Sequence, residues 1–162
     1  MSSPDHDVVY HGYRDHTGTA LIEVQTLDGQ ILGTVRHVVL HSPDGLNWGY
    51  GGSGPADCAR SLLIAALGDA AACPTCHGTA RLVWDTVLDE DLPYDPARAA
   101  SYDPTRVWEC PDCDGGGYRD LPYQQFTRDH VAHFGPEWQI RRSQVLAWLA
   151  TQPPLTTPGA SD

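Results

Sequence analysis

Two copies of one short cysteine pattern constrain this chain more than anything else in it. They read Cys73-Pro74-Thr75-Cys76-His77-Gly78 and Cys110-Pro111-Asp112-Cys113-Asp114-Gly115. A C-x-x-C turn places two sulfurs on one metal ion, and two such turns supply the four thiolates of a tetrahedral site. The glycine two residues after each second cysteine lets the backbone fold back, so that amide N–H groups can point at sulfur. Cys73, Cys76, Cys110 and Cys113 are therefore expected to hold a structural Zn²⁺. All-cysteine coordination leaves no open position for substrate or activated water. Structural zinc contributes on the order of 10–16 kcal/mol in small peptides, so the segment between the motifs should depend on its metal. Cys73 to His77 also spells the c-type haem motif C-x-x-C-H. That reading leaves the second cysteine pair without a task, and the only methionine is Met1. Cys58, the fifth cysteine, lies in an apolar run and is expected to be a small core residue.

The second constraining stretch is Trp48-Gly49-Tyr50-Gly51-Gly52-Ser53-Gly54-Pro55-Ala56-Asp57. So many glycines imply a backbone in conformations that side chains forbid, or something approaching closely. Pro55 suits a first helical turn, and Cys58 to Leu67 reads as the apolar helix behind it. A glycine-rich turn at a helix N-terminus can cradle an anion with free N–H groups. Trp48, Tyr50, Gly51, Gly52, Ser53 and Gly54 are accordingly candidate ligand-binding residues for a small polar or nucleotide-like molecule. A purely architectural turn is the competing reading. The chain has no lysine, which rules out a Walker-type loop, and Asp57 in the helix's first turn would repel a phosphate. Arg14, Arg36 and Arg60 are cations that could offset charge nearby. Gly51 to Pro55 nearly spells the nucleophile elbow G-x-S-x-G, but proline stands at the last glycine. A hydrolase using Ser53 is thus a remote alternative, and no catalytic residue is assigned.

Around these two features the pattern is that of an α+β fold. Val8 to Tyr13, Ala20–Leu27 and Ile31–Leu40 read as strands of a small antiparallel sheet, with Asp28-Gly29 as a hairpin turn. The last of these would place His37 and His41 on one sheet face. Leu46 to Tyr50 suggests one more short strand. Arg81 to Leu88 and Arg106 to Glu109 alternate like two arms of a hairpin, giving a zinc-ribbon-like insert. Its tip, Asp89 to Pro104, is acidic and proline-bearing and should be exposed and mobile. Tyr123, Phe126, His130, Val131 and Phe134 fall at helical spacing, and Ser143 can cap a last helix carrying Val145, Leu146, Trp148 and Leu149. The expected organisation is a core domain of residues 8–70 with 121–150, a zinc-binding insert at 71–120 and a disordered tail at 151–162.

Two resemblances extend this reading. The paired cysteine motifs resemble the knuckles of the cysteine-rich zinc region of J-domain co-chaperones, which implies peptide contact by the zinc hairpin. His41-Ser42-Pro43, Gly45 and Trp48 to Ala56 resemble the hallmark of a bacterial and phage family of unknown function. Members of that family close with a Y-x-x-F helix and a terminal W-L, matched here by Tyr123, Phe126, Trp148 and Leu149. The resemblance implies carriage on mobile elements and no particular activity.

Bulk composition bounds the partners. The formal net charge of the 162 residues is −11, and no K/R-rich run is present, so the chain lacks the basic footprint of nucleic-acid binders. Met1 to Asp7 is polar with no apolar run behind it, and Leu62 to Leu67 is too short to cross a bilayer. A cytoplasmic setting is expected, in which thiols stay reduced and metal ligation is favoured over disulfides. These observations lead to a non-enzymatic, zinc-stabilised binding module that takes a small polar or nucleotide-like ligand at the glycine loop. A zinc adaptor contacting protein or nucleic acid is the rival.

Overall fold

The computed structural model describes residues 6–157, so the last five residues of the expected tail lie outside it. Along the chain come strands β1 (Val9–Arg14), β2 (Ala20–Gln25) and β3 (Ile31–Thr34), then helix α1 (Ser53–Leu67). Strands β4 (Arg81–Asp85), β5 (Glu90–Pro93) and β6 (Val107–Glu109) follow. The chain closes with α2 (Tyr123–Asp129), β7 (Trp138–Arg141) and α3 (Arg142–Leu149). The mixture of antiparallel sheets and helices is α+β, as the sequence implies. Among the described residues, no helix is long and apolar enough to cross a membrane.

Two compact units emerge, one from residues 6–67 with 122–153, the other from residues 68–121 with 154–157. The first holds a four-stranded antiparallel sheet in the order β3-β2-β1-β7. Period-two alternation sorts its side chains. Tyr10, Ile22, Trp138 and Ile140 are buried, and the pairs Tyr10↔Ile140 and Gly12↔Ile22 place them on one face. Gly12 stands opposite Trp138, whose indole occupies the space a Cβ would need. The turn after β1 is closed by Asp15, whose carboxylate accepts the N–H groups of Thr17 and Thr19 at 2.8 and 3.0 Å. Between β2 and β3 the expected Asp28-Gly29 turn forms, with Gly29 at φ +93° and Thr26 N–H on Gln30 O.

Helix α1 is apolar on most of its circumference because it is buried on most of it. Cys58, Ala59, Leu62, Leu63 and Ala66 have no exposed surface, and each leucine contributes about 2 kcal/mol of apolar burial. Helix α2 stops at His130, and a short 3-10 turn, Val131–His133, continues it. The Tyr123/Phe126 and Trp148 signals meet here. Phe126 and Trp148 pack edge-on with centroids 4.8 Å apart, and Trp148 Nε1–H donates to Asp129 at 2.9 Å.

Several local expectations give way to tertiary hydrogen bonding. The β-branched run Ile31–Leu40 is a strand only through Thr34. Beyond it Val38 N–H turns to Ser61 Oγ (3.0 Å), and Leu40 and His41 turn to the carboxylate of Asp57. His37 and His41 therefore do not share a strand. Leu46 to Tyr50 is irregular, ending in a bend at Gly49 and Tyr50, and is not a strand. Helix α3 begins one residue before Ser143. The carboxylate of Asp7, from the other end of the chain, accepts Ser143 N–H and its hydroxyl, and Gln144 Oε1 accepts the N–H of the N-cap residue Arg141 at 2.8 Å.

The second unit holds a three-stranded sheet in the order β5-β4-β6. Arms Arg81–Leu88 and Arg106–Glu109 do pair, through Arg81↔Glu109 and Val83↔Val107. The segment between them is exposed, yet it contains β5 and two 3-10 turns capped by Asp95 on Ala97 N–H and Asp103 on Thr105 N–H. Thr156, in the expected tail, accepts the N–H of Asp120 at 2.6 Å.

Candidate metal centre and glycine loop

The two cysteine motifs fold into near copies of one another. In each, the two residues after the second cysteine are left-handed: His77 and Gly78 at φ +52° and +82°, Asp114 and Gly115 at +52° and +72°. The fourth residue after it is left-handed too, Ala80 in one copy and Gly117 in the other (φ +67° and +81°). This path aims an amide at sulfur in both: Ala80 N–H to Cys76 Sγ and Gly117 N–H to Cys113 Sγ, each 3.3 Å. The copies are then cross-tied. Cys73 N–H donates to Gly117 O at 3.0 Å, and Cys110 N–H donates to Ala80 O at 2.9 Å. Thr75 and Asp112, the variable residues of the two C-P-x-C turns, meet in a 2.5 Å hydrogen bond.

The result brings all four sulfurs within 4.8 Å of one another. Cys73, Cys76 and Cys110 are fully buried and Cys113 is 3% exposed. None is in a disulfide. Cys76 Sγ and Cys113 Sγ are 3.8 Å apart, whereas a disulfide needs about 2.05 Å. A tetrahedron with metal–sulfur bonds of about 2.3 Å has edges of about 3.8 Å. The four cysteines are thus close enough to hold a metal ion, and their donor set suits one that prefers thiolates. Burial pushes the Cys110 thiol up to about 12 and raises Cys113 as well. Burial also opposes ionisation of Cys73, but the N–H groups of Cys76 and Thr75 outweigh it and its value falls. A bound cation would displace the remaining thiol protons. Cys58 is not one of the four clustered residues; it is a fully buried thiol whose value is raised by desolvation alone.

At the glycine loop, three glycines have internal causes. Gly49 sits at φ +87° with its N–H on Val131 O. A Cβ on Gly54 would lie 2.8 Å from Asn47 Cβ, and one on Gly52 would meet the Tyr50 ring at 3.0 Å. Trp48 is buried, edge-on to Trp138 at 5.4 Å and beneath the guanidinium of Arg14. Tyr50 is half exposed, its hydroxyl accepting from Asn47 Nδ2 at 3.0 Å. Gly51 meets nothing within 4 Å of its missing Cβ. Apart from Trp48, which lines neither, the candidate residues divide between two concavities. Gly51, Gly52 and Ser53 line one of about 360 Å³ with His41, Gln124 and Arg128. Tyr50, Ser53 and Gly54 line another of about 530 Å³ with Arg14, Thr17 and Asn47.

Asp57 is the residue that sequence reasoning misplaced. It does not act at the helix end. Its fully buried carboxylate accepts the N–H groups of Leu40, His41 and Ser42 at 2.9–3.1 Å and the ring Nε2–H of His37 at 2.9 Å. Burial works against its ionisation, but the His37 and backbone hydrogen bonds more than offset this, holding the carboxyl below its ordinary value. The His41-Ser42-Pro43 segment is stapled to α1 in this way. The pairing of an H-S-P turn with an aspartate behind the glycine loop was the available signal.

Residues 10–87 match a family model described as a family of unknown function, DUF6166. No curated protein and no solved structure gives a significant match. The DUF6166 match takes in the Asp57 staple, the glycine loop, α1 and the first cysteine pair. Cys110 and Cys113, which complete the thiol cluster, lie beyond it.

Proposed function

We propose that the chain is a non-enzymatic binding module whose second unit is built on a structural Zn²⁺ held by Cys73, Cys76, Cys110 and Cys113. The observation that carries this is the buried cluster of four free thiols within 4.8 Å, with two N–H···S bonds already aimed at it. A closed tetrathiolate site suits Zn²⁺, which needs neither an open coordination position nor a redox partner. Reduced thiols suit a cytoplasmic setting, and the resemblance in the glycine loop suits a mobile-element origin. Metal analysis of protein purified without chelator should find one zinc per chain. Cobalt substitution should give the visible bands of a tetrahedral tetrathiolate. Protein that is folded and metal-free, or that carries Cys–Cys disulfides, overturns the assignment.

Ligand binding at the glycine loop is proposed for the concavity of about 530 Å³, within the range of small-molecule sites. Its support is the chemistry of the lining, which brings together the Arg14 guanidinium, the hydroxyls of Thr17, Tyr50 and Ser53, the amide of Asn47 and one carboxylate, Asp44, with Arg14 held by Asn47 Oδ1 and Gly18 O; these groups suit a small polar or nucleotide-like molecule. A thermal-shift screen of nucleotides and signalling dinucleotides tests it. Stabilisation lost in Arg14→Ala and in Ser53→Ala supports the site. No shift with any compound, or a shift unchanged in both variants, removes it. The hydrolase alternative draws no support from geometry: among the described residues Ser53 Oγ has no hydrogen bond to a histidine, and His41 is engaged with Tyr123 at 3.0 Å.

A further inference from the structure

Strands β4 and β5 are joined by Thr86-Val87-Leu88-Asp89, a short loop of the kind that glycine, asparagine, aspartate or serine usually fills. Its two central residues are instead valine and leucine, 90% and 60% exposed. Single exposed apolar side chains are ordinary; an adjacent pair on a fixed turn is not. The turn is fixed from within. The Asp85 carboxylate accepts the N–H groups of Val87 and Leu88, each at 2.9 Å. Asp89 N–H donates to Asp85 O at 2.9 Å, and Asp89 itself closes the loop in the left-handed region at φ +58°. None of these bonds uses the Val87 or Leu88 side chain, so the loop's own geometry gives no reason for two apolar residues there. A loop already held in shape loses little conformational freedom when a partner takes it.

Charge selects the partner. Residues 82–97 carry five carboxylates and no arginine, lysine or histidine. Asp89, Glu90 and Asp91 are exposed next to the tip, and no ion pair among the described residues engages them. Arg98 and Arg106 share a concavity with Val87, but Arg98 lies over the Tyr102 ring and Arg106 beside Asp103. The field at the tip repels phosphate-bearing surfaces, nucleic acid and anionic lipid alike, and favours a cationic one. We propose that the Val87–Leu88 tip is a docking knob that seats in an apolar pocket of a partner protein, with lysine or arginine side chains on the pocket rim facing Asp89, Glu90 and Asp91. The two apolar side chains supply the affinity, and the three carboxylates supply orientation and association rate. The knob needs the folded hairpin, but neither zinc as the particular metal nor a ligand at the glycine loop.

The test uses the metal-loaded full chain and a miniature of such a pocket, β-cyclodextrin carrying ammonium groups on its rim, with the carboxylated ring as control. The ammonium ring should shift the methyl resonances of Val87 and Leu88 saturably, and its binding should weaken as salt rises. Val87→Ser with Leu88→Ser should weaken it roughly tenfold. Glu90→Gln with Asp91→Asn should weaken it about threefold. All four positions are exposed, so the variants should match wild type in metal content and amide dispersion, measured on the same samples. Unchanged binding in the folded Val87→Ser/Leu88→Ser variant, equal binding of the two rings, shifts centred elsewhere in the chain, or absence of saturable binding overturns the proposal. Self-association of the chain that the Val87→Ser/Leu88→Ser pair abolishes would assign the tip to a second copy. Flotation with phosphatidylglycerol vesicles that the same pair abolishes would assign it to lipid. Either result also overturns the proposal.

Discussion

Asp57 shows how one side chain can organise a loop 15 to 20 residues away. Four hydrogen bonds converge on a carboxylate with no exposed surface, so removing the charge leaves donors facing an amide or a void. Asp57→Asn should cost about 2–4 kcal/mol in urea unfolding. The pH dependence follows from the lowered value of its carboxyl. Asp57's contribution is complete above the unfolded carboxyl's value near ~3.9 and is lost as pH falls through the depressed folded value. Wild-type melting temperature should therefore drop on acidification below about pH 4 more steeply than that of Asp57→Asn. Ala80 presents the opposite case. It holds a left-handed conformation at φ +67° where its counterpart is Gly117. Ala80→Gly relieves about 1–2 kcal/mol of strain and adds about 0.5–1 kcal/mol of unfolded-state entropy. A gain of about 0.5 kcal/mol in the metal-loaded protein is expected, and a lower melting temperature would contradict it.

At the level of elements, those with a local cause were legible and those with a remote cause were not. The Asp28-Gly29 hairpin, the helix behind the glycine loop and the paired hairpin arms follow from turn chemistry and periodicity over a few residues. Strand β3 stops at Thr34 although Val35, Val38 and Val39 favour extension, because Ser61 and Asp57 of α1 compete for the backbone N–H groups. Ser143 does not cap helix α3: its own N–H is taken by the distant Asp7, and Gln144 takes the N–H of Arg141. The Phe126–Trp148 contact joins α2 to α3 across a break at His130. Phe126→Ala leaves a void beneath Trp148 and should cost about 3–5 kcal/mol in denaturant unfolding. A cost below about 1 kcal/mol would mean that the aromatic contact is incidental.

For the whole molecule, the division into two units makes metal dependence a regional property. Chelation, or Cys113→Ser, should collapse the amide dispersion of residues 72–119 while signals of the four-stranded sheet persist. Uniform loss throughout the chain would show that the units fold only together. The sequence alone determined the thiol pairs, because a C-x-x-C turn positions its sulfurs within four residues and needs no distant partner. It also determined the α+β class and the glycine-rich entry to α1. Tertiary structure decided the rest. It brought Cys110 and Cys113 to Cys73 and Cys76, turned Asp57 inward onto residues 40–42, buried Trp48, and split the glycine loop between two concavities. Each of these rests on hydrogen bonds or packing between residues far apart in the chain, which no local periodicity or propensity encodes.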